Sequence, residues 1–98
     1  MAHRLAPEVE GELDDIWQYI ATQTGSVEIA ERVLGAVVGR FSLLATHPLI
    51  GRRRDDLRPG LRSILAGEYV IIYRIADEDV VILRVIHGRR DIAALLGD

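Results

Sequence analysis

Cysteine is absent from the 98 residues of this chain, which excludes a disulfide scaffold and a thiolate metal site. The three histidines are scattered, at His3, His47 and His87, and no carboxylate has the spacing of a metal-ligand set, so we expect no metal and no other cofactor. No apolar run approaches the ~20 residues of a membrane span, and the first residues do not form a signal peptide. We therefore expect a cytoplasmic protein that does not bind a membrane.

Lysine is absent as well, so all 12 cationic side chains are arginine. An arginine fork pairs with carboxylate or phosphate through two hydrogen bonds, so the bias fits a surface built for such contacts. The composition of a GC-rich genome also explains the bias, and we prefer this explanation to the functional one. A formal net charge of -3 argues against general nucleic-acid binding. One Trp, three Tyr and one Phe make a poor stacking platform for bases.

The charges that are present are unevenly distributed along the chain. An acidic block near the N-terminus has no base within it: Glu8, Glu10, Glu12, Asp14 and Asp15. From Arg40 to Arg74 the balance reverses, because arginines outnumber acids there. We therefore expect a polarised molecule, with an acidic helix and a basic loop-and-sheet region.

Two helices are predicted in the first half. Pro7 suits the first helical position, and the apolar residues that follow it have helical spacing: Val9, Leu13, Ile16, Trp17 and Ile20. We expect Gly25 to end this helix and Ser26 to cap a second one over Val27–Thr46, before Pro48. The short turn between them predicts an antiparallel hairpin.

A helix that packs on one partner needs an apolar arc of ~100°, and the apolar residues of the second helix cover a wider arc than that. Either the first helix and a sheet cover this surface completely, or part of it faces another protein. Candidate residues for a partner helix or extended tail are Val33, Val37 and Leu44. Gly35 and Gly39 are expected to allow close packing of the helix.

Strand signals occupy both ends of the chain. Residues 1–6 have the pattern of an edge strand, and residues 47–60, rich in Pro, Gly and Arg, that of a loop. Three further strands are predicted: Leu61–Ala66, Tyr69–Ala76 and Asp79–His87. We therefore predict an α+β fold in one domain over residues 1–98. An N-terminal strand and a helical hairpin would pack on a three- to four-stranded, mainly antiparallel sheet, followed by a short C-terminal helix.

The turn at Asp77 sets the register of the last hairpin. A two-residue turn places Arg74 opposite Val81 and on the face of His87, with Arg84 on the face of Tyr73. A three-residue turn places Arg74 and Arg84 on one face instead. The sequence does not choose between these registers.

The last strand ends in a charged cluster, and two readings of it are open. His87 and Asp91 have the spacing of a general base and a carboxylate that orients it. Alternatively, Asp91 caps the C-terminal helix and His87 closes the strand by a hydrogen bond. No Ser, Thr or Cys nucleophile stands near the motif, which favours the structural alternative.

The order of these features resembles the ParE/RelE superfamily of bacterial type II toxins. The matching segments cover nearly the whole chain: Leu13–Ile20, Phe41–Leu44, His47–Pro48, Gly51–Arg52, Arg58–Arg62, Tyr69–Arg74 and Arg84–Asp91. The resemblance implies a helical hairpin on a small, largely antiparallel sheet. It also implies a toxin that is neutralised by an antitoxin encoded beside it.

Members of the superfamily act in two different ways. RelE-like members cut mRNA on the ribosome with strand arginines and a C-terminal acid or base, and alignment puts Val70 and Leu96 at two of those positions, with Arg90 alone retained. ParE-like members poison DNA gyrase by binding it, and they are similar to this chain in ending with the sequence of residues 87–91. The resemblance therefore favours a binding protein without catalytic residues. A nuclease using His87 and Arg90, and a non-toxic relative kept for binding, remain the alternatives.

Two contact surfaces complete the hypothesis. The gyrase contact is expected at His87, Arg89, Arg90 and Asp91, with Arg62 and Arg74 as possible additions. The contact with a ParD-like antitoxin is expected at Val33, Val37 and Leu44. No sequence-specific contact with nucleic acid is expected.

Overall fold

Helices and strands follow the predicted order along residues 1–96, the part of the chain that this computed structural model describes. The elements are β1 His3–Leu5, α1 Pro7–Thr24, α2 Val27–Thr46, β2 Arg52–Arg53, β3 Arg62–Ala66, β4 Tyr69–Ala76, β5 Asp79–His87 and α3 Ile92–Leu95. The strands form one sheet in the order β1-β5-β4-β3-β2. β1 is parallel to β5, and the other pairs are antiparallel.

The predicted α+β architecture is confirmed, but the predicted three to four strands are too few. The additional strand is β2, in which Arg52 and Arg53 pair with Ser63 and Arg62. Two charged residues within a Pro- and Gly-containing segment carry no strand pattern. Pairing with β3, and not intrinsic preference, therefore makes this strand.

The helical hairpin begins and ends at the predicted residues. Pro7 occupies the first turn of α1, and Gly25 ends the helix in the left-handed conformation, with φ of 67°. Ser26 caps α2 by accepting a hydrogen bond from the N–H of Ile29 at 3.1 Å. The helix stops at Thr46, ahead of Pro48, as the restriction on residues before proline requires.

The hairpin packs on one face of the sheet, which we call the inner face. The largest side chains buried there are Phe41, Leu44, Ile71, Tyr73 and Ile82. The prediction that Val37 and Leu44 face a partner is corrected, because both side chains are fully buried against α1 and the sheet. Val33 is half-buried and packs against the same core.

The surface of α2 that does remain exposed consists of other residues. Val27, Ile29 and Val38 are the large apolar side chains that α2 leaves in solvent. The packing role predicted for Gly35 and Gly39 is corrected as well, since an added Cβ at either position would meet no atom within 4 Å. Neither α1 nor the sheet therefore requires glycine at these positions.

The opposite face of the sheet, the outer face, carries a smaller apolar cluster. Leu61, Val70 and Ile72 are buried there, and side chains from the 54–61 loop, from β5 and from the C-terminal segment pack on them. Ile92 and Leu96 belong to this covering layer. The short helix α3 therefore lies across the sheet from the hairpin.

The β4–β5 hairpin combines a two-residue turn, one of the two alternatives that the sequence left open, with a bulge that the sequence did not indicate. Ala76 pairs with Asp79, so the turn has two residues, and Arg74 lies opposite Val81. Between Ile72 and Tyr73 the register then shifts by one residue, and Ile72 pairs with Arg84. A shift of one residue exchanges the two faces. Arg84 consequently shares the outer face with Arg74, while His87 pairs with Tyr69 on the inner face. The two-residue turn thus occurs together with the distribution of arginines that the three-residue alternative gives.

Candidate functional site

The predicted contact residues His87, Arg89, Arg90 and Asp91, which we call the C-terminal cluster, are held by a tight turn after β5. The N–H of Gly88 donates to the carbonyl of Glu68 at 2.8 Å, and the N–H of Arg90 donates to the carbonyl of His87 at 3.0 Å. Asp91 then caps α3 by accepting from the N–H of Ala94 at 3.2 Å. The arginine side chains between these two anchors are exposed.

His87 is held by contacts on several sides. Its ring meets the ring of Tyr69 edge-on, with centroids 5.3 Å apart. Its Nδ1 accepts from the N–H of Arg89 at 3.2 Å, which assigns the proton of the neutral ring to Nε2. That Nε2 lies 3.8 Å from a carboxylate oxygen of Glu68.

The general-base reading of the motif is not supported. Within residues 1–96, no hydrogen bond or ion pair joins His87 to Asp91. Asp91 instead caps α3, and His87 accepts a backbone hydrogen bond at the strand end, as the structural alternative predicts.

A cleft of about 460 Å³ opens between α1 and the end of β5. It exists because β1 stops pairing at Leu5, opposite Ile82, and leaves the rest of β5 without a neighbour on that side. The α1 wall carries Asp15, Ile16 and the exposed ring of Tyr19, and the other wall carries Tyr69, His87, Arg89 and Arg90. Burial raises the pKa of Tyr69, and the nearby Glu68 and Tyr19 raise it further, so this hydroxyl stays neutral at ordinary pH.

Glu12 and Arg84 join three elements beside this cleft. The Glu12 carboxylate accepts from the N–H of Val85 at 2.9 Å and from Nε of Arg84 at 2.7 Å. Nη1 of Arg84 donates to the carbonyl of Leu95 at 2.7 Å. Sequence reasoning placed Glu12 in a uniformly acidic block and missed this role. The signal was its position one helical turn from Val9 and Ile16, on the edge of the apolar stripe.

The other two predicted contact residues, Arg62 and Arg74, lie elsewhere. Arg74 is exposed, and it is five residues along β4 from Tyr69, the partner of His87. At ~3.3 Å per strand residue the separation is roughly 16 Å. Arg62 pairs with Tyr73, next to Arg74. The structure therefore brings together the four residues of the C-terminal cluster but not these two arginines.

The side chain of Arg62 is occupied by the chain itself. Its Nη1 donates to the carbonyl of Gly51 at 2.9 Å and more weakly to that of Leu49 at 3.4 Å. Beside it, the hydroxyl of Tyr73 donates to the carbonyl of Pro48 at 2.7 Å and accepts from the N–H of Gly51 at 2.9 Å. Burial raises the pKa of Tyr73, and the Gly51 hydrogen bond partly counters this effect. These contacts fix the 48–51 segment to the sheet.

The arginine-rich loop after β2 largely neutralises itself. Arg53 pairs with Asp55 at 2.9 Å and Arg54 with Asp56 at 3.1 Å. The N–H of Gly60 donates to Asp55 and is the largest cause of its lowered pKa, whereas the hydrogen bond from Arg54 does the same for Asp56. This loop is therefore a poor candidate for phosphate binding.

Two positions that hold catalytic groups in the RelE-like nucleases hold apolar residues in this chain, and both residues pack in the outer cluster. Val70 is buried in the outer cluster, and Leu96 packs against that cluster. Residues 1–96 contain no group of three or more His, Cys, Asp or Glu side chains that could hold a metal ion. In the same range, no helix is long and apolar enough to cross a membrane.

Comparison with known proteins agrees with this architecture. A family model for the ParE toxin of the type II toxin-antitoxin system, parDE, matches residues 4–92. Toxin ParE3 of Caulobacter vibrioides is 40% identical over 89 residues, which are 91% of this chain and 88% of that protein. Toxin ParE1 of Mycobacterium tuberculosis is 34% identical over 89 residues, 90% of either chain.

A solved structure, the chromosomal ParDE TA system from P. aeruginosa, contains a chain of the same fold. Its TM-score is 0.78 with 20% sequence identity, over 89% of this chain and 95% of that one. The helical hairpin on a mainly antiparallel sheet thus makes the protein a small α+β domain of this fold. Since the family match spans nearly the whole chain, the protein belongs to the ParE toxins of type II toxin–antitoxin systems.

Proposed function

We propose that this chain is a toxin that inhibits DNA gyrase by binding it, and that the C-terminal cluster makes the contact. The observation that carries the proposal is the state of Arg89 and Arg90. Both side chains are exposed at the end of a packed strand, and within residues 1–96 neither has an ion-pair or hydrogen-bond partner for its guanidinium. Two free arginine forks at a fixed position are suited to carboxylates on a partner surface.

The remaining cluster residues act by holding these arginines in place. His87 accepts from the Arg89 backbone, and Asp91 begins α3 directly after Arg90. Arg62 and Arg74 stand outside the proposed contact, because Arg74 lies near the far end of β4 and Arg62 lies beside it on β3, bonded to backbone carbonyls. Because the backbone on both sides of the arginines is already fixed, less conformational entropy is lost when the cluster binds a partner.

Inhibition by binding fits the side chains better than strand scission does. Proton transfer to a leaving group needs an acid or base free to reach it. His87 has one ring nitrogen engaged by the Arg89 N–H, and Val70 and Leu96 are part of an apolar cluster. The nuclease alternative would therefore depend on Arg90 with little support from its neighbours.

A ParD-like antitoxin is the proposed neutralising partner. The similar fold in the P. aeruginosa ParDE system supports such a partner. Since Val37 and Leu44 are buried, we propose that the antitoxin uses the exposed apolar residues on one side of α2, Val27 and Val38. At ~100° per residue these two lie on the same side of the helix, whereas Ile29 lies on the opposite side. An amphipathic helix laid along this side would cover both.

Supercoiling by purified gyrase tests the proposed target. The wild-type chain should inhibit supercoiling, and the double variant Arg89→Glu/Arg90→Glu should lose at least about tenfold in potency, because charge reversal replaces attraction by repulsion. Arg40→Glu, an exposed arginine on α2, is the matched control and should leave potency unchanged. Discrete cuts in translated mRNA that disappear in Arg90→Ala would point to the nuclease instead.

Antitoxin docking is tested by a separate variant. Val38→Asp should weaken binding of the protein encoded by the neighbouring gene without lowering the melting temperature, since the side chain is 43% exposed. Glu31→Gln, elsewhere on the exposed part of α2, serves as the control. Equal affinity for wild type and Val38→Asp would place the antitoxin on another surface.

A further inference from the structure

The Glu12–Arg84 pair spans an edge of the sheet. Glu12 belongs to α1 on the inner face, whereas Arg84 pairs with Ile72 and reaches the carbonyl of Leu95 in α3 on the outer face. The side chains are 15% and 22% exposed, so the pair is largely shielded from solvent. The helical hairpin and the C-terminal helix are thereby connected through two side chains.

The end of the β1–β5 pairing explains why a carboxylate is needed there. Beyond Ile82 the strand has no β1 neighbour, so the N–H of Val85 would otherwise lack a strand partner. The Glu12 carboxylate supplies the missing acceptor. A buried donor left unsatisfied costs ~1–3 kcal/mol, which accounts for an acceptor at this position. It does not account for the second oxygen, which holds Arg84.

The stability of the fold gives no general reason for the ion pair itself. Replacing a shielded ion pair by well-packed apolar residues is often neutral or stabilising. A pair of this kind has its best-supported use in fixing one geometry among several. The segment whose geometry it fixes is the one between its two backbone contacts, Val85 and Leu95.

That segment contains the whole C-terminal cluster. One end is held where Glu12 accepts from Val85, and the other where Arg84 donates to Leu95. α3 has only four residues, none of them fully buried, so packing alone holds it weakly. Arg58 adds a hydrogen bond to the carbonyl of Leu96, on the residue next to the Arg84 contact.

We infer that Glu12 and Arg84 are positioning residues for target binding: they hold the cluster between Val85 and Leu95 in the geometry that the target recognises. The inference rests on the proposed function, because it assigns the cluster to the target contact. Neither residue needs to touch the target. They act through the backbone on both sides of Arg89 and Arg90, and through the order of α3.

The first variant removes the charge and keeps the acceptor. Glu12→Gln retains an oxygen for the N–H of Val85, so the chain should fold, but its hold on Arg84 is weakened. The amides of Ala94, Leu95 and Leu96 should exchange hydrogen about tenfold faster, and potency against gyrase should fall about tenfold, as expected for loss of a charge-assisted hydrogen bond. Affinity for the antitoxin should stay within about twofold, because neither residue of the pair belongs to α2, which carries the proposed antitoxin surface.

A neighbouring carboxylate provides the control. Asp15 lines the same cleft from the same helix and is exposed, and within residues 1–96 no hydrogen bond or ion pair involves its side chain. Asp15→Asn removes an equal charge from the cleft and should change neither exchange nor potency. A purely structural role would lower the affinities for target and antitoxin together, whereas a positioning role lowers only the affinity for the target.

A second variant separates the two bonds of Arg84. Arg84→Lys keeps a cation beside Glu12 but has no fork to reach the Leu95 carbonyl at the same time. The α3 amides should again exchange faster, while the amide of Val85 stays protected.

Three results would overturn the inference. Unchanged α3 exchange in Glu12→Gln would show that the pair does not order α3, and unchanged potency would show that the order is irrelevant to the target. A parallel loss of both affinities that tracks a lower melting temperature would reduce the pair to a structural role. If wild type itself fails to inhibit gyrase, the proposed target is wrong, and the exchange data still decide whether the pair orders α3.

Discussion

The two ends of the β4–β5 hairpin use similar residues for opposite purposes. At one end the buried Tyr73 hydroxyl bonds to the Gly51 N–H and to the Pro48 carbonyl. Arg62 donates to the Gly51 carbonyl beside it. We call this the closed end. At the other end Arg89 and Arg90 line an open cleft, and their side chains are exposed. We call this the open end.

The difference lies in where the polar groups find their partners. Within residues 1–96, no buried side-chain nitrogen or oxygen lacks a hydrogen-bond partner, and at the closed end the Tyr73 hydroxyl and Nη1 of Arg62 are both bonded to backbone. The open end satisfies its backbone through Glu12, His87 and Asp91, and leaves the side chains of the two arginines unused. Residue type alone therefore does not identify a contact surface, whereas the balance of donors and acceptors does.

The largest expected effect compares one glycine from each end. At the closed end, a Cβ on Gly51 would overlap the Tyr73 ring, with Cε1 at 2.6 Å and Cζ at 2.8 Å. Gly51→Ala should cost about 3 kcal/mol in urea unfolding, near the upper range for overpacking. At the open end, a Cβ on Gly88 would lie 3.2 Å from the Glu68 carbonyl oxygen, so Gly88→Ala should change stability by less than about 1 kcal/mol. Equal costs at both ends would contradict the comparison.

The next effect compares two tyrosines on the same strand. Tyr73→Phe leaves the Gly51 N–H and the Pro48 carbonyl without their partner, and should cost about 2 kcal/mol of unfolding free energy. The Tyr69 hydroxyl faces the cleft, so Tyr69→Phe should change stability by less than about 0.5 kcal/mol. Chemical denaturation of the two variants in parallel measures the difference. A larger loss in Tyr69→Phe would reverse the assignment of the two ends.

Alkaline pH should sharpen the same contrast. The pKa of Tyr73 and that of Tyr69 are raised in the fold by burial, so the folded state holds the hydroxyl protons more tightly than the unfolded state. The resulting stability is complete below the unfolded tyrosine pKa of ~10 and is lost as pH rises through the folded values. Urea midpoints measured from pH ~8 to ~11 should fall, and less steeply in Tyr73→Phe. An equally steep fall in that variant would rule out Tyr73 as a contributor.

The smallest effect concerns the loop after β2. The pKa values of Asp55 and Asp56 are lowered in the fold, chiefly by the Gly60 N–H and by Arg54 respectively. Their contribution is present above the unfolded aspartate pKa and is lost as pH falls through the folded values. Both carboxylates are exposed, so salt should screen most of the effect. Asp56→Asn should weaken the acid dependence slightly at low salt and not at high salt, as followed by thermal unfolding.

Local signals were sufficient for most of the fold. Pro7, Gly25 and Ser26 mark the limits of the helical hairpin, and alternating Val, Ile and Tyr residues mark β4 and β5. Two features had no local signal. β2 is two arginines that become a strand only by pairing with β3. The bulge leaves Leu83 unpaired in β5, and one extra apolar residue inside an apolar strand changes no local pattern.

The candidate site was predictable only where its residues are close together in the sequence. The C-terminal cluster is contiguous in sequence, so its residues were found together. Glu12 and Arg84 are 72 residues apart and meet across the edge of the sheet, which no spacing rule anticipates. Val37 and Leu44 were assigned to a partner because helical periodicity cannot tell which side of a broadly apolar helix faces the sheet.

The most direct test of the account is an equilibrium binding titration of gyrase with the chain. The wild type and Arg74→Glu, a charge reversal on the same sheet but far from the open end, should bind with equal affinity, and Arg89→Glu/Arg90→Glu should bind at least about tenfold more weakly at unchanged melting temperature. Equal affinity of the double variant and the wild type would contradict the claim that the open end makes the contact.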